Sequence, residues 1–128
     1  MAHNSRILLV DDNIIQSATR KAILESAGWE VTLAMEGRSA LETLTGPEQN
    51  SFSLLITDHL MPVMSGPELV AEVRRLGTEL PIIVLSGLPD AETDYEDRDV
   101  IFRLKPCGPE SLILLVQELL GEQMRRTA

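Results

Sequence analysis

Arg6 to Val10 and the two residues that follow read RILLVDD: four consecutive aliphatic side chains run straight into the adjacent carboxylates Asp11 and Asp12. A run this short and this apolar has the form of a buried strand, and the acids mark its carboxyl end. Working outward, the same pattern recurs at Glu30 to Ala34 (EVTLA), Phe52 to Thr57 (FSLLIT), Pro81 to Leu85 (PIIVL) and Val100 to Leu104 (VIFRL). Between these runs lie helical patterns over Ile14 to Ala27, Arg38 to Leu44, Pro67 to Leu76 and Pro109 to Leu120, with a poor candidate around Ala91. Gly28 stands where a helix C-terminus favours glycine. Pro67 and Pro109 stand at helix starts, where a missing N–H costs nothing. In the last helix Leu112, Leu115, Val116, Leu119 and Leu120 form one continuous apolar stripe. Strict alternation of strand and helix predicts right-handed crossovers and a parallel sheet covered on both faces.

The composition agrees. A chain of 128 residues, 44% hydrophobic and 24% charged, has room for one domain and little else. With Trp29, Phe52, Tyr95 and Phe102 as its aromatic residues, the core must be built from Leu, Ile, Val and Ala. One cysteine, Cys107, excludes an internal disulfide, and with His3 and His59 alone beside it a Cys/His zinc site is excluded as well. The longest aliphatic run, Leu112 to Val116, is too short to span a bilayer and no signal peptide is visible at Met1, so a soluble, cytoplasmic protein is expected. A net charge of -9 disfavours direct contact with nucleic acid or an anionic membrane, and means that any phosphate handled here needs a cation as intermediary.

Parallel α/β sheets place their sites at the carboxyl ends of the strands, near the point where strand order reverses. Those ends carry Asp11 and Asp12, then Asp58, then Ser86 and Gly87, then Lys105 and Pro106. Three carboxylates, a hydroxyl and an ammonium thus converge on one edge with no helix contributing. Taken singly, each is ordinary: Asp-Asp is often a helix cap, Ser-Gly a turn, Lys-Pro a loop. Their joint placement at strand ends is the signal. Three clustered carboxylates require a positive partner, and Mg²⁺, a hard cation that combines carboxylate and phosphate oxygens, is the natural one, with Mn²⁺ as its substitute. Asp58, at the end of the predicted central strand, suits a nucleophile that forms an aspartyl phosphate. His59, lacking partners in the sequence, reads as a loop residue, and Met61 and Met64 read as packing.

These residues resemble the receiver domain of two-component response regulators. ILLVDDN at Ile7 to Asn13, ITDHLMPVMSG at Ile56 to Gly66, PIIVLSG at Pro81 to Gly87 and FRLKP at Phe102 to Pro106 match in order and spacing over nearly the whole chain. The resemblance implies a flavodoxin-like (βα)5 fold, doubly wound, with strand order 2-1-3-4-5, in a single domain over 1–128 (core about 5–121, tail 122–128, frayed from about Met124). It implies Asp58 as phosphoacceptor, Asp12 as a direct Mg²⁺ ligand, Asp11 as a carboxylate acting through metal-bound water, and the Leu60 carbonyl as a further ligand. Ser86 corresponds to the switch hydroxyl, Lys105 to the lysine that pairs with the phosphoryl group, and Phe102 to the aromatic that changes rotamer. The implied partners are a histidine kinase or histidine phosphotransfer domain, and an output domain or second copy at the face of fourth helix, fifth strand and fifth helix.

The chain departs from that pattern between Ser86 and Lys105. Leu88 to Asp99 (LPDAETDYEDRD) holds six acids and little apolar periodicity beyond Ala91 and Tyr95, so the fourth helix is expected to be stunted or disordered. Cys107 stands where the family often has phenylalanine, and Leu114 adds an apolar residue beside the last helix's stripe, with Ile113 next to it either in the core or on a contact surface. SGLPD followed by LKPCGPESL is similar to receivers appended to hybrid sensor kinases.

Rival readings share parts of this chemistry. A metal-dependent aspartyl-phosphate phosphohydrolase usually places nucleophile and acid-base Asp two apart after one strand, whereas Asp11 and Asp12 are adjacent and no cap domain is visible. A flavin-binding module would cradle phosphate with hydroxyls and glycines where this chain has Asp11, Asp12 and Asn13. A receiver-shaped interaction domain that is never phosphorylated would have no use for the intact acceptor set.

Overall fold

The computed structural model describes residues 5–47, 51–95 and 99–127. In chain order the elements are β1 (Arg6–Val10), α1 (Ile14–Ser26), β2 (Glu30–Ala34), α2 (Gly37–Thr45), β3 (Phe52–Asp58), α3 (Gly66–Arg75), β4 (Ile82–Ser86), a 3-10 helix (Pro89–Tyr95), β5 (Ile101–Leu104) and α4 (Pro109–Thr127). The strands form one sheet in the order β2-β1-β3-β4-β5, and every pairing is parallel. The chain therefore leaves β1 toward β2 and then crosses back to β3 on the other side of β1. That reversal lies between β1 and β3, and it opens a crevice at their carboxyl ends.

Side-chain alternation along the strands divides the core into two layers. Leu8, Val10, Leu55 and Val84 face α2 and α3, where Leu44, Leu69 and Val73 meet them. Ile7, Leu9, Ile56 and Leu85 face α1 and α4, where Leu24, Leu112 and Val116 complete the packing. Both faces of the sheet are covered, which is why its strands read as continuous aliphatic runs rather than as alternating patterns.

Local signals set the ends of the elements. Asn13 caps α1, its side-chain oxygen accepting the Gln16 N–H at 2.8 Å. Gly28 follows α1 at φ 106°, a left-handed turn that costs a glycine little. Ser65 and Glu68 form a reciprocal capping box at the start of α3. β4 begins at Ile82 rather than Pro81, because proline has no N–H to give, although its carbonyl still accepts the Leu55 N–H at 3.0 Å.

Two expectations change. α4 continues to Thr127 instead of stopping at Leu120: after Gly121 the sequence EQMRRT contains several good helix formers and no breaker. The segment after β4 is stunted, as expected, but it is folded and it does bury side chains. Pro89–Tyr95 forms a 3-10 helix whose Ala91 and Tyr95 both pack into the core. The expectation of disorder up to Asp99 falls partly on 96–98, outside the described residues.

Candidate functional site

Asp58 is the last residue of β3, the middle strand of the sheet, and its neighbour in register on β4 is Leu85. The His59 N–H donates to the Leu85 carbonyl at 3.0 Å, which holds the end of β3 against β4. On the other side, Asp11 leaves β1 with its N–H donated to the Ala34 carbonyl at 3.1 Å. The backbone ladder thus brings the two carboxylates to the same edge. Asp11, Asp12 and Asp58 each present a ligand oxygen, all within 4.8 Å of one another, and Asp12 is the exposed member.

The side chains around them form one network. Lys105 Nζ lies 3.1 Å from Asp58 Oδ1. It is brought there by β5 and by the Lys105 N–H, which donates to the Ser86 carbonyl at 2.7 Å just before the cis Lys105–Pro106 bond. Arg20 Nη1 bridges Asp11 Oδ2 at 2.9 Å and Asp58 Oδ1 at 3.0 Å. Gln16 Nε2 donates to Asp11 Oδ2 at 3.0 Å and to Asp58 Oδ2 at 3.3 Å. Asp11 Oδ1 accepts the Asn13 N–H at 2.9 Å.

Arg20 and Gln16 correct the expectation that no helix contributes. Both lie in α1, and Arg20 falls three residues after buried Ser17 and four before buried Leu24, on the inward stripe of the helix. A charged residue on that stripe was the available signal. The outer side of the same turn carries exposed Ile14 and Ile15, so the start of α1 is apolar outward and polar inward.

Burial is the largest influence on Asp58. Together with the shared hydrogen bond and like charge of Asp11, it pushes the carboxyl up to about 6, against the opposing pull of Arg20 and Lys105. At neutral pH the carboxylate is still mainly ionised, which a nucleophile requires.

The remaining expected residues lie around this centre. Ser86 is buried at the adjacent strand end, its hydroxyl engaged by the Leu88 backbone: Oγ accepts the Leu88 N–H at 2.9 Å and donates to the Leu88 carbonyl at 3.3 Å. Leu60 is largely exposed on the loop beyond Asp58. Phe102 stands away from the carboxylates, half-buried on β5, with its ring 6.1 Å from that of Tyr95. Met61 is buried and Met64 packs against the same core layer, both as expected. Cys107 packs partly buried against the opposite layer, and Leu114 is exposed on α4.

His59 is more than a loop residue. It is buried, and its Nδ1 lies 2.6 Å from the Tyr95 hydroxyl. Burial, and then the charge of Asp94, raise the Tyr95 pKa well above its ordinary value. Tyr95 therefore keeps its proton, and the other ring nitrogen of His59, Nε2, lies 3.8 Å from Asp94 Oδ2. Gly66 makes this approach feasible. A Cβ there would meet the Tyr95 hydroxyl, and would lie 2.9 Å from both the Asp58 carbonyl oxygen and His59 Cα.

Comparison with known proteins agrees with this geometry. The family model described as the response regulator receiver domain matches residues 7–117. The chain belongs to that family. A two-component response regulator of rice, Oryza sativa subsp. japonica, is 32% identical over 93% of this chain and 86% of its own length. A peroxide stress-activated histidine kinase of Schizosaccharomyces pombe is 30% identical over 91% of this receiver but only 5% of the kinase. Among solved structures, a chemotaxis protein of Vibrio cholerae superposes with a TM-score of 0.81 at 30% identity, covering 91% of this chain and 99% of that one. A receiver domain protein of Methanospirillum hungatei gives 0.87 at 28% identity, covering 97% and 99%. The receiver fold, its strand order and the aspartate cluster typical of a phosphorylation site are therefore all present in this chain. Among the described residues, no helix is long and apolar enough to cross a membrane.

Proposed function

We propose that Asp58 accepts a phosphoryl group from a phosphohistidine, and that this switches the receiver between two conformations. The observation that carries the reading is the convergence on one oxygen-rich centre of a buried strand-end carboxylate, two further carboxylates and a lysine ammonium. In the transfer a carboxylate oxygen of Asp58 attacks phosphorus. The new P–O bond forms as the P–N bond to imidazole breaks, and the electron pair leaves with the ring nitrogen. Lys105, already 3.1 Å from the acceptor, meets the negative charge of the phosphoryl oxygens. The chain thus assists its own modification as a phosphoacceptor domain; it is not an enzyme that turns over a separate substrate.

The donor set fits a hard divalent cation, since three carboxylate oxygens lie within 4.8 Å. Asp11, Asp12, Asp58 and the Leu60 carbonyl are the residues we assign to Mg²⁺, with Mn²⁺ as substitute. Bound there, the ion supplies charge neutralisation for the phosphoryl oxygens.

For the switch, Ser86 is the mobile hydroxyl, exchanging its Leu88 partners for a phosphoryl oxygen, and Phe102 is the ring that turns into the space vacated. Exposed Ile14, Ile15, Leu60 and Val63 form an apolar rim on α1 and the β3–α3 loop. That rim supports docking of a histidine kinase or histidine phosphotransfer domain beside the acceptor. Exposed Leu104 on β5 and Leu114 on α4 support an output domain or a second copy on the opposite flank. The test is transfer from a radiolabelled histidine phosphotransfer domain in the presence of Mg²⁺. Wild type should take the label and Asp58→Asn should not; equal labelling of the two would refute the assignment. Sustained turnover of a small phosphate ester would instead favour a phosphohydrolase.

A further inference from the structure

Every carboxylate oxygen that would ligate a metal here, apart from those of Asp12, already holds a hydrogen bond from this chain's own side chains or backbone. Asp11 is fully buried, with Oδ1 occupied by the Asn13 N–H and Oδ2 by Arg20 and Gln16. Asp58 is nearly so, with Oδ1 held by Arg20 and Lys105, and Oδ2 by Gln16. Arg20 differs from the other donors in that one nitrogen joins carboxylates from two strands, at 2.9 and 3.0 Å, with the side chain only 12% exposed.

We propose that Arg20 is a resident counter-ion of the acceptor pocket. It holds Asp11 and Asp58 together without metal and must give up Asp11 Oδ2 and Asp58 Oδ1 when a divalent cation binds, so that the metal affinity of this chain is set by an exchange of cations. The inference rests on the assignment of the metal to Asp11, Asp12 and Asp58 made above.

Charge and geometry both support an exchange. Without metal the centre holds three carboxylates against two side-chain cations, Arg20 and Lys105. Removing one of these cations would leave buried negative charge uncompensated, an arrangement proteins rarely tolerate. A hard cation needs direct contact with carboxylate oxygens, and a guanidinium directed at those same oxygens would be held against a like charge. Arg20 cannot be a casual surface pairing, because its backbone lies on the buried stripe between Ser17 and Leu24. Lys105 approaches from the end of β5 and, among the described residues, its ammonium pairs with Asp58 and not with Asp11, so it can stay beside the acceptor while Arg20 yields.

The experiment compares wild type with Arg20→Met, which keeps an unbranched apolar stem and removes the charge. Mg²⁺ and Mn²⁺ dissociation constants are measured by isothermal titration calorimetry, and melting is followed without metal. Arg20→Met should bind metal at least about tenfold more tightly, since a tenfold change requires only the loss of roughly one competing charge-assisted bond. Its metal-free melting temperature should fall and its metal-induced rise should grow. If Arg20→Met does not fold without metal, Arg20→Lys serves, because a single ammonium cannot reproduce the guanidinium's geometry and should give an affinity between the two. Equal or weaker metal binding in both variants would overturn the proposal. So would the absence of any metal binding in wild type and variants alike. Asp12→Ala separates this inference from the reading on which it rests: unchanged metal affinity there would remove the metal from this site and defeat both. Tightened metal binding in Arg20→Met alongside a wild type that is never phosphorylated would leave the exchange standing and refute only the phosphoacceptor role.

Discussion

The carboxyl edge of the sheet is held by different forces on its two sides. Around Asp58, between β1 and β3, the contacts are ionic: buried carboxylates bridged by Arg20, Gln16 and Lys105. Beyond β4 the 3-10 helix is held by a buried ring, a hydrogen bond between Tyr95 and His59, and Tyr95 packing on Phe102. The ionic side gains little net stability from its charges, because desolvation offsets attraction, and it is poised to exchange one cation for another. The apolar side supplies stability through buried surface. The two sides meet at Gly66, where the space a Cβ would take is already crowded by the Tyr95 hydroxyl and by backbone of Asp58 and His59.

That contrast can be broken first at Tyr95. Tyr95→Ala removes a buried aromatic ring and should cost about 3–5 kcal/mol in urea denaturation while leaving divalent-metal affinity unchanged. A loss of metal affinity would mean that the two sides are one cooperative unit. Gly66→Ala should come next, at about 2–3 kcal/mol, because the added methyl group meets backbone of Asp58 and His59 as well as the Tyr95 hydroxyl. It should also slow phosphorylation by displacing the Asp58 carbonyl; a variant as stable as wild type would show that Tyr95 can withdraw freely.

The ionic side should respond to pH. The Asp58 pKa is raised in the folded state from 3.8 to about 6, so its stabilising contribution is complete below the unfolded value and is lost as pH rises through about 6. Asp58→Asn has no such loss. In metal-free protein the stability of Asp58→Asn relative to wild type should therefore grow between pH 5 and pH 7, by on the order of 1 kcal/mol. A difference independent of pH would contradict the burial argument.

The smallest effect concerns the loop that joins the two sides. Val63 is exposed and adopts φ 69°, a left-handed conformation that a β-branched residue resists. Val63→Gly should stabilise the fold by about 0.5 kcal/mol, the relief of strain less the greater freedom of glycine when unfolded. Destabilisation would show that the Val63 side chain makes contacts that outweigh its backbone.

The same two sides differ in how far they could be read from sequence. Strands such as Ile82–Ser86 announce themselves because burial on both faces makes them aliphatic throughout, and the gathering of Asp11, Asp12, Asp58, Ser86 and Lys105 at one edge was legible because a parallel sheet delivers strand ends there. Arg20 and Gln16 were not, since their approach depends on the rotation of α1 over the sheet, and exposed Ile14 and Ile15 point the apolar pattern outward. Tyr95 was visible only as a partner for Ala91. Its bond to His59 spans 36 positions of sequence, a separation over which local periodicity carries no information.

The most direct test of the acceptor assignment is mass spectrometry of the intact protein after incubation with a small-molecule phosphodonor and Mg²⁺, followed by peptide mapping. One phosphoryl group should be added, it should map to Asp58, and it should be absent when Mg²⁺ is chelated. A phosphoryl group on any other residue, or one acquired equally by Asp58→Asn, would contradict the assignment.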